Sequence, residues 1–492
     1  MQRRRVSRRR FMAAALAAAP AALVAPAFGA PWRPWIDGAP QPGRRALGFP
    51  IPQAGWHGDS SLAAAVRLNP RLLDGDQDRR RPPNPPRTPS RPTPPTPGPS
   101  EWQRFAAQLA VFGDLRRHFI FEYYPWYGAD PWRHWNQDGR TPPGDIAAFA
   151  VPALGPYDSR DATVIEQHAR WLADAGIGAI NLSWWGPGSF EDRAVPIVMD
   201  VMRAHDIHVA FHLEPYADDR ANRLRDDLLY LIREYGDKRR WDAFLLLEDA
   251  SGVARPIFKS FRTILPRTVS DCRGRVFPVP DFTEDATWRR QVDALRAAVR
   301  SDFEVLLLAD SLDFGRTEAG GFDGMAIYDP FYRPSNWPGA ASAFSSRELL
   351  FSFNMNAGFD VYPQRPPFGE CYAPSRIEPP ISATGWDEAG RAEAFAASRA
   401  RVLDSLRTTL TLQLDAGLVD RRRGFFVTYI NSFNEWHEGT AFEPALSFAA
   451  LSPAQRAIGY HNPDEGRWRL QLVQDLMGEL TRPALAREAI AV

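Results

Sequence analysis

The sequence has few cysteines and no excess of charge of either sign. Cys272 and Cys371 are the two cysteines among 492 residues, too few for a disulfide framework and without the spacing of a metal site. They could form one bridge or remain separate thiols. Lysine plus arginine and aspartate plus glutamate both total 59. Because this balance attracts no polyanion, it argues against nucleic acid as a partner and favours an uncharged substrate.

Long uninterrupted apolar runs are also missing. The first thirty residues contain six arginines and no acid, and the alanine-rich stretch 11–30 is broken by Pro20 and Pro26, so it does not read as a membrane span. Residues 7–12 (SRRRFM) resemble a twin-arginine export signal, and Ala25 and Ala27 offer small residues for cleavage. We therefore predict a signal peptide over 1–27 and a periplasmic or secreted protein. A disordered basic arm or an organelle transit peptide is the alternative.

Proline, by contrast, is concentrated in one place. Residues 79–99 consist mainly of proline, arginine, threonine and serine, which favours an extended linker because proline removes backbone donors and fixes φ. We predict that 28–100 is poorly ordered, that this linker ends it, and that 101–492 forms the working domain.

Beyond residue 101, short apolar runs alternate with stretches of helical period. Candidate strands are 118–124, 178–184, 208–213, 256–261, 304–308, 324–328, 350–355 and 425–430. Candidate helices include 161–175, 195–205, 221–235, 286–299 and 392–414. Apolar strands separated by helices predict a covered parallel sheet, and eight repeats predict an α/β fold with a single closed (β/α)₈ TIM barrel. Lys259 and Asn354 interrupt the fourth and seventh candidate strands.

The carboxyl ends of these strands carry the polar and aromatic residues that chemistry requires, and active sites of such barrels lie there. After the eighth strand, Glu435 and Glu438 lie three residues apart. Two carboxylates in one confined site can divide acid and base work, because repulsion separates their pKa values. With 16 tryptophans and 12% aromatic residues, the chain could also stack on sugar rings. The alternative is that both glutamates lie on the solvated face of a helix.

Glu214 follows the third candidate strand, where a buried carboxylate needs partners. It could bind sugar hydroxyls, pair with an arginine or act in catalysis. His212 and Glu214 have the alternation of a metal pair, but no third ligand follows at suitable spacing. We predict no metal and no cofactor.

Seven segments in this order resemble glycoside hydrolase family 99, the endo-α-1,2-mannosidases and mannanases. They are 123–128 (YYPWYG), 134–136 (HWN), 154–161 (LGPYDSRD), 175–186 (AGIGAINLSWWG), 209–216 (VAFHLEPY), 321–324 (GFDG) and 432–440 (SFNEWHEGT). The resemblance implies a metal-free barrel that cleaves an internal α-mannosidic bond with retention. It also implies that Glu435 acts as base toward the substrate 2-hydroxyl, giving a 1,2-anhydro sugar, and that Glu438 acts as general acid and base. Residue-by-residue matching predicts a substrate-binding set of Glu214, Tyr328, Trp184, Trp185, His212, Tyr124, His134, Tyr216 and Asn434.

Two departures from the family pattern leave the glycan open. Residues 257–262 contain Lys259 and Arg262, and the segment 362–372 replaces a glycine-rich loop. If Lys259, Arg262 and Arg365 lie near the mouth, a hydrolase of this fold could instead act on an acidic bacterial polysaccharide. A non-catalytic carbohydrate-binding protein is a third possibility. We expect a monomer whose partner is an oligosaccharide or polysaccharide, with no membrane span in the mature chain.

Overall fold

The structure is a computed structural model that describes residues 100–217, 219–270, 274–360 and 377–488. The predicted signal peptide, the proline-rich linker, Arg365 and both cysteines lie outside the described residues. In the part that is described, no helix is both long enough and apolar enough to cross a bilayer.

A sheet with nine parallel strand segments forms the centre of the described chain, and the short segment Leu246–Glu248 pairs antiparallel with one of them. Its strands are β1 Phe119–Tyr123, β2 Ala179–Trp184, β3 His208–Leu213, β4 Ala254–Ser260, β5 Leu306–Ala309, β6 Gly324–Ala326, β7 Leu350–Ser352, β8 Met355–Asn356 and β9 Thr428–Asn431. They pair in chain order from β1 to β7, and β9 pairs with β1 and with β8. Only Phe353 and Asn354 separate β7 from β8. These two segments are therefore one interrupted strand that pairs with β6 on one side and β9 on the other, which closes the barrel.

Each of the eight predicted strands is present, and the predicted (β/α)₈ barrel is confirmed. The interruption expected at Asn354 separates β7 from β8, where the Asn354 amide donates to the backbone oxygen of Tyr328 at 2.6 Å. Asn431, at the end of β9, donates to the same oxygen at 2.9 Å. These two amide groups tie the ends of β6, β8 and β9 together.

Helices follow the strands and cover the sheet. They are α1 Glu101–Leu109, α2 Ala162–Asp174, α3 Phe190–Ala204, α4 Leu224–Leu231, α5 Asp285–Val299, α6 Phe314–Ala319, α7 Trp337–Ser345, α8 Glu388–Gln413, α9 Val419–Arg423, α10 Pro453–Ile458 and α11 Trp468–Glu488. Side-chain caps fix where several begin: Asp161 accepts from Thr163 N at 2.8 Å and Ser189 from Asp192 N at 3.0 Å. The cap at Ser189 explains why α3 begins five residues before the predicted start. The predicted helix 221–235 ends as an α-helix at Leu231 and continues as a π-helical segment, Ile232–Arg240.

Alternate strand residues point into the barrel, and several of these inward residues are charged or polar. Lys259 Nζ lies 2.5 Å from Glu122 Oε1, and both side chains are completely buried. Asn181 donates to the other oxygen of Glu122 at 2.8 Å. Burial raises the pKa of Glu122, but Lys259 and His212 outweigh it and lower that pKa to about 2. The alternative in which Lys259 meets an acidic glycan at the mouth loses support, because Glu122 neutralises this charge inside the barrel.

Candidate active site

The loop after β9 brings Glu435 and Glu438 to the carboxyl end of the barrel. Both are buried, with 1% and 5% of their surfaces exposed. The loop forms turns rather than a helix, and Ser432 holds its start by accepting from Glu435 N at 2.9 Å and bonding Thr440 Oγ1 at 2.8 Å. This placement excludes the alternative of a solvated helix face.

Some of the surroundings of Glu435 oppose its ionisation and others favour it. Burial raises its pKa, His437 opposes this effect, and the neighbouring Glu438 adds to it, so that the pKa of Glu435 is about 7. The backbone N–H of His437 donates to Glu435 Oε1 at 3.0 Å. Glu435 can therefore change its charge near neutral pH, as a general base must.

Glu438 has a different partner. The hydroxyl of Tyr328, just beyond β6, donates to Glu438 Oε2 at 3.0 Å. Burial raises the pKa of Tyr328 well above its ordinary value, and Glu438 raises it further, so the tyrosine keeps its proton. The two glutamates thus differ in their hydrogen-bond partners although they share a loop.

Tyr124 lies near the carboxylates of Glu122, Glu214 and Glu435. Burial raises its pKa well above the ordinary value, and Glu122, Glu214 and Glu435 raise it further through their charges. Its ring lies 6.5 Å from that of Tyr328. The structure therefore brings Tyr124, Tyr328, Glu214 and Glu435, which lie far apart in the chain, to one place.

Glu214 is connected to Trp185 through a serine. Ser183 Oγ donates to Glu214 Oε1 at 2.8 Å and accepts from Trp185 Nε1 at 3.1 Å. Burial raises the pKa of Glu214, and His212 opposes that shift. Trp185 is half-buried and its ring lies 6.3 Å from that of Trp126. Trp185 is thus available at the mouth with its indole orientation fixed.

Trp184 is not part of the pocket, and the prediction that it forms a sugar platform is wrong. Successive side chains of a strand point to opposite faces, so Trp184 lies on the outside of β2 while Ser183 and Trp185 face inward. It is completely buried, donates from Nε1 to Asp192 at 2.8 Å and packs beside Tyr230. Its role is to attach the barrel to α3 and α4.

Asn434 and Tyr216 support the site rather than line it. The Asn434 side chain accepts from Tyr124 N at 2.7 Å and donates to Tyr124 O at 3.0 Å and to the Tyr157 hydroxyl at 3.2 Å. Both amide hydrogens and the amide oxygen of Asn434 are already bonded. Asn434 therefore positions Tyr124 and does not form the predicted contact with sugar. The Tyr216 hydroxyl donates to Asp227 at 2.5 Å, which likewise removes its hydrogen from the pocket.

His212 and His134 are the two predicted histidines. His212 is buried with Nδ1 at 3.0 Å from Glu122 Oε2, and no described residue bonds its Nε2. His134 is half-buried, stacks on Trp126 at 4.5 Å and bonds Gln137 through Nδ1 at 2.8 Å. Burial lowers the pKa of His134 well below its ordinary value. Within the described ranges, no group of three or more acid, histidine or cysteine side chains is arranged to hold a metal ion.

Sequence reasoning missed several side chains that shape the site. Trp126 is buried against Tyr124 at 4.6 Å and against His134. Ser183 joins Trp185 to Glu214, and His437 contacts Glu435. All three lie inside the segments 123–128, 175–186 and 432–440 that carried the resemblance. Strand alternation would have selected Ser183 and rejected Trp184, whereas the partners of Trp126 and His437 come from distant loops.

Comparison with known proteins shows similarity to one family. The sequence profile of Glycosyl hydrolase family 99 matches residues 114–245. The glycoprotein endo-alpha-1,2-mannosidase-like protein of Danio rerio is 28% identical over 392 residues, covering 72% of this chain and 76% of that protein. The protein of the same name from Homo sapiens is 28% identical over 376 residues, covering 69% and 70%.

A solved structure agrees in fold. The GH99 endo-alpha-mannosidase from Bacteroides thetaiotaomicron superposes with a TM-score of 0.54 at 21% identity, covering 74% of this chain and 98% of that one. The closed barrel, the buried glutamate pair at the carboxyl ends of its strands and the matching relatives lead to one assignment. The chain is similar to glycosyl hydrolase family 99 and is a glycoside hydrolase.

Proposed function

We propose that this protein is an exported, retaining, endo-acting α-mannoside hydrolase with endo-α-1,2-mannosidase-like specificity. The observation that carries the proposal is the pair Glu435 and Glu438, buried on one loop with different hydrogen-bond partners. Its substrate class is supported by the relatives, which are named endo-alpha-1,2-mannosidases or endo-alpha-mannosidases.

In the proposed first step, Glu435 takes the proton of the 2-hydroxyl while O2 attacks C1 of the same sugar. Glu438 gives its proton to the leaving glycosidic oxygen as the C1–O bond breaks, and a 1,2-anhydro sugar forms. In the second step Glu438 takes a proton from water and the water oxygen bonds to C1. The C1–O2 bond breaks, and Glu435 returns its proton to O2. Each glutamate ends in its starting state, and two inversions at C1 give retention.

The surroundings of Glu435 suit a base that works near neutral pH. A pKa of about 7 for Glu435 makes it a stronger base than an ordinary carboxylate while leaving a substantial fraction ionised at neutral pH. Tyr328 gives its hydrogen to Glu438 Oε2 and so fixes the orientation of that carboxyl group. Trp185 offers aromatic surface for the sugar before the cleaved bond, and Glu214 accepts from a hydroxyl of the reacting sugar.

An acidic polysaccharide finds less support in the described residues. Lys259 is neutralised by Glu122 inside the barrel, and Arg262 bonds Asp281 at 3.0 Å. Two of the three cations that suggested this substrate are therefore already paired with carboxylates. A purely carbohydrate-binding role does not require two buried glutamates with separate partners.

Export is proposed from residues 7–12 alone, which lie outside the described residues. Expression of the full chain in a bacterium with twin-arginine transport, followed by cell fractionation, tests this proposal. The wild type should reach the periplasm or medium, and replacing Arg8, Arg9 and Arg10 with lysine should retain it in the cytoplasm. Equal export of both forms would contradict the assignment.

The activity itself is tested with the purified domain beginning at Glu101. It is incubated with α-1,2-linked manno-oligosaccharides and branched α-mannan, and products are identified by mass spectrometry beside Glu435→Gln and Glu438→Gln controls. Release of short oligosaccharides by the wild type alone supports the proposal. If the folded wild type releases nothing, α-mannoside hydrolysis is rejected and acidic glycans become the next substrates to test.

A further inference from the structure

His437 lies between the two glutamates in sequence and contacts Glu435 twice. Its backbone N–H and its ring Nδ1 lie 3.0 Å and 3.2 Å from Glu435 Oε1. Its other ring nitrogen, Nε2, lies 3.2 Å from the backbone oxygen of His134. The ring thus connects the loop after β1 to one oxygen of Glu435, and both contacts with Glu435 end on Oε1.

These contacts determine where the ring protons lie. A carbonyl oxygen only accepts, so Nε2 must carry a hydrogen to bond His134. If the ring were neutral, Nδ1 would present a lone pair to Oε1, and two lone pairs facing each other at 3.2 Å repel. The contact with an ionised Glu435 therefore requires a second hydrogen on Nδ1.

The neighbouring Tyr127 hydroxyl does not donate a hydrogen bond to a neutral Nδ1. It lies 3.4 Å from Nδ1, but it donates its single hydrogen to Asn434 O at 3.1 Å and accepts from Trp436 N at 3.0 Å. The Tyr127 ring is parallel to that of His437, with centroids 5.7 Å apart. Tyr127 thus holds the ring plane and leaves Nδ1 to act as a donor.

We propose that His437 is a positioning residue that directs an Nδ1 proton at Glu435 Oε1, keeping Glu435 ionised and its Oε2 directed at the substrate 2-hydroxyl. This inference rests on the proposed role of Glu435 as base. His437 then acts through Glu435 and does not touch the reacting atoms.

The other groups facing Glu435 show why such a partner is needed. Burial and Glu438 both oppose its ionisation, and His437 favours it. Tyr124, Tyr127 and Tyr328 surround Glu435 with phenols whose pKa values burial raises, so they bring no positive charge. His134 meets Glu435 only through His437. Without His437, the pKa of Glu435 must rise.

Two variants separate this role from simple packing. His437→Gln can still donate toward His134 O but places no cation at Oε1, whereas His437→Asn can donate a neutral hydrogen bond to Oε1 and loses the contact with His134. We expect the acidic limb of kcat/KM to move to higher pH by about one unit or more in His437→Gln, and by less in His437→Asn. If both variants lose activity but the acidic limb of kcat/KM stays at the same pH as in the wild type, the proposal is overturned.

A measurement without turnover distinguishes failure of this inference from failure of the proposed function. The domain is labelled with ¹⁵N-histidine, and ring nitrogen shifts are followed between about pH 5 and pH 8, where imidazole and a perturbed carboxyl both titrate. In the wild type we expect His437 Nδ1 to carry a hydrogen while Glu435 is ionised. In Glu435→Gln the Nδ1 proton should leave at lower pH.

A wild-type Nδ1 without a proton throughout this range would overturn the inference, as would identical histidine titration in Glu435→Gln. If the wild type cleaves no α-mannoside but the two titrations differ as expected, the proton partnership stands and only the proposed function is rejected.

Discussion

Trp184 and Trp185 are adjacent in the chain but lie on opposite faces of strand β2. Trp184 is completely buried on the outer face, with its Nε1 hydrogen given to Asp192. Trp185 is half-buried on the inner face and donates to Ser183, which in turn donates to Glu214. One residue of register therefore separates a tryptophan that stabilises the barrel from one that can meet a sugar.

Substitution of Trp185 should change substrate affinity, whereas substitution of Trp184 should change stability. Trp185→Ala should raise KM about fivefold by removing a stacking surface worth on the order of 1 kcal/mol, with little change in the free energy of unfolding. Trp184→Ala should lower the free energy of unfolding by about 3–5 kcal/mol. Steady-state kinetics and urea titration of both variants check this, and a reversed pattern would contradict the assignment of faces.

The acid role of Glu438 is tested by changing the leaving group. Glu438→Gln should lose about 10²–10⁴-fold in kcat/KM on oligosaccharides, whose leaving alkoxide needs a proton. On a glycosyl fluoride, which needs none, the loss in the first step should be much smaller. Equal losses on both substrates would remove Glu438 from the acid role, and Glu435→Gln is the control that should lose both activities.

Glu435 should also make stability depend on pH. Its pKa in the folded protein, about 7, is above the ordinary value of 4.5, so the folded state holds the proton more tightly. The resulting stabilisation is complete below about pH 4 and is lost as pH rises through about 7. The difference in Tm between Glu435→Gln and the wild type should therefore become more favourable to the variant from pH 5 to pH 8. A difference independent of pH would show that Glu435 titrates normally.

The buried pair of Lys259 and Glu122 predicts that a second substitution restores stability that the first one removes. Lys259→Met leaves Glu122 buried opposite an apolar side chain and should cost about 3–5 kcal/mol of unfolding free energy. Adding Glu122→Gln removes the stranded charge and should recover much of that loss. Denaturant titration of the two single variants and the double variant measures the coupling, and strictly additive effects would contradict the pairing.

Much of the fold could be predicted because its signals are local. Apolar runs and helical periods located all eight barrel strands, including the interruption at Asn354. The pairing of β8 with β9, which closes the barrel, joins segments about 75 residues apart in a sequence with no evident internal repeat. The sequence contains no local signal for pairing between such distant segments. Closure of the barrel was therefore inferred from the number of strand and helix repeats.

The site was predictable in composition but not in arrangement. Glu435, Glu438, Glu214 and Tyr328 were expected at strand ends and do lie together there. Asn434 was expected to contact sugar, yet its amide is used up by Tyr124 and Tyr157, whose segments are some 300 residues away. Lys259 was considered only as a contact for an acidic glycan, and Glu122 neutralises it inside the barrel.

The resemblance to glycoside hydrolase family 99, the succession of strands and helices, and the choice of the paired glutamates could all be predicted from the sequence, because short motifs and periodic patterns encode these features locally. Which distant group each residue meets became known from the folded structure alone. The contact of His437 with Glu435 Oε1 and His134 O is of this kind. Charge state and hydrogen-bond direction depend on neighbours that folding brings within about 3 Å, and sequence spacing does not specify them.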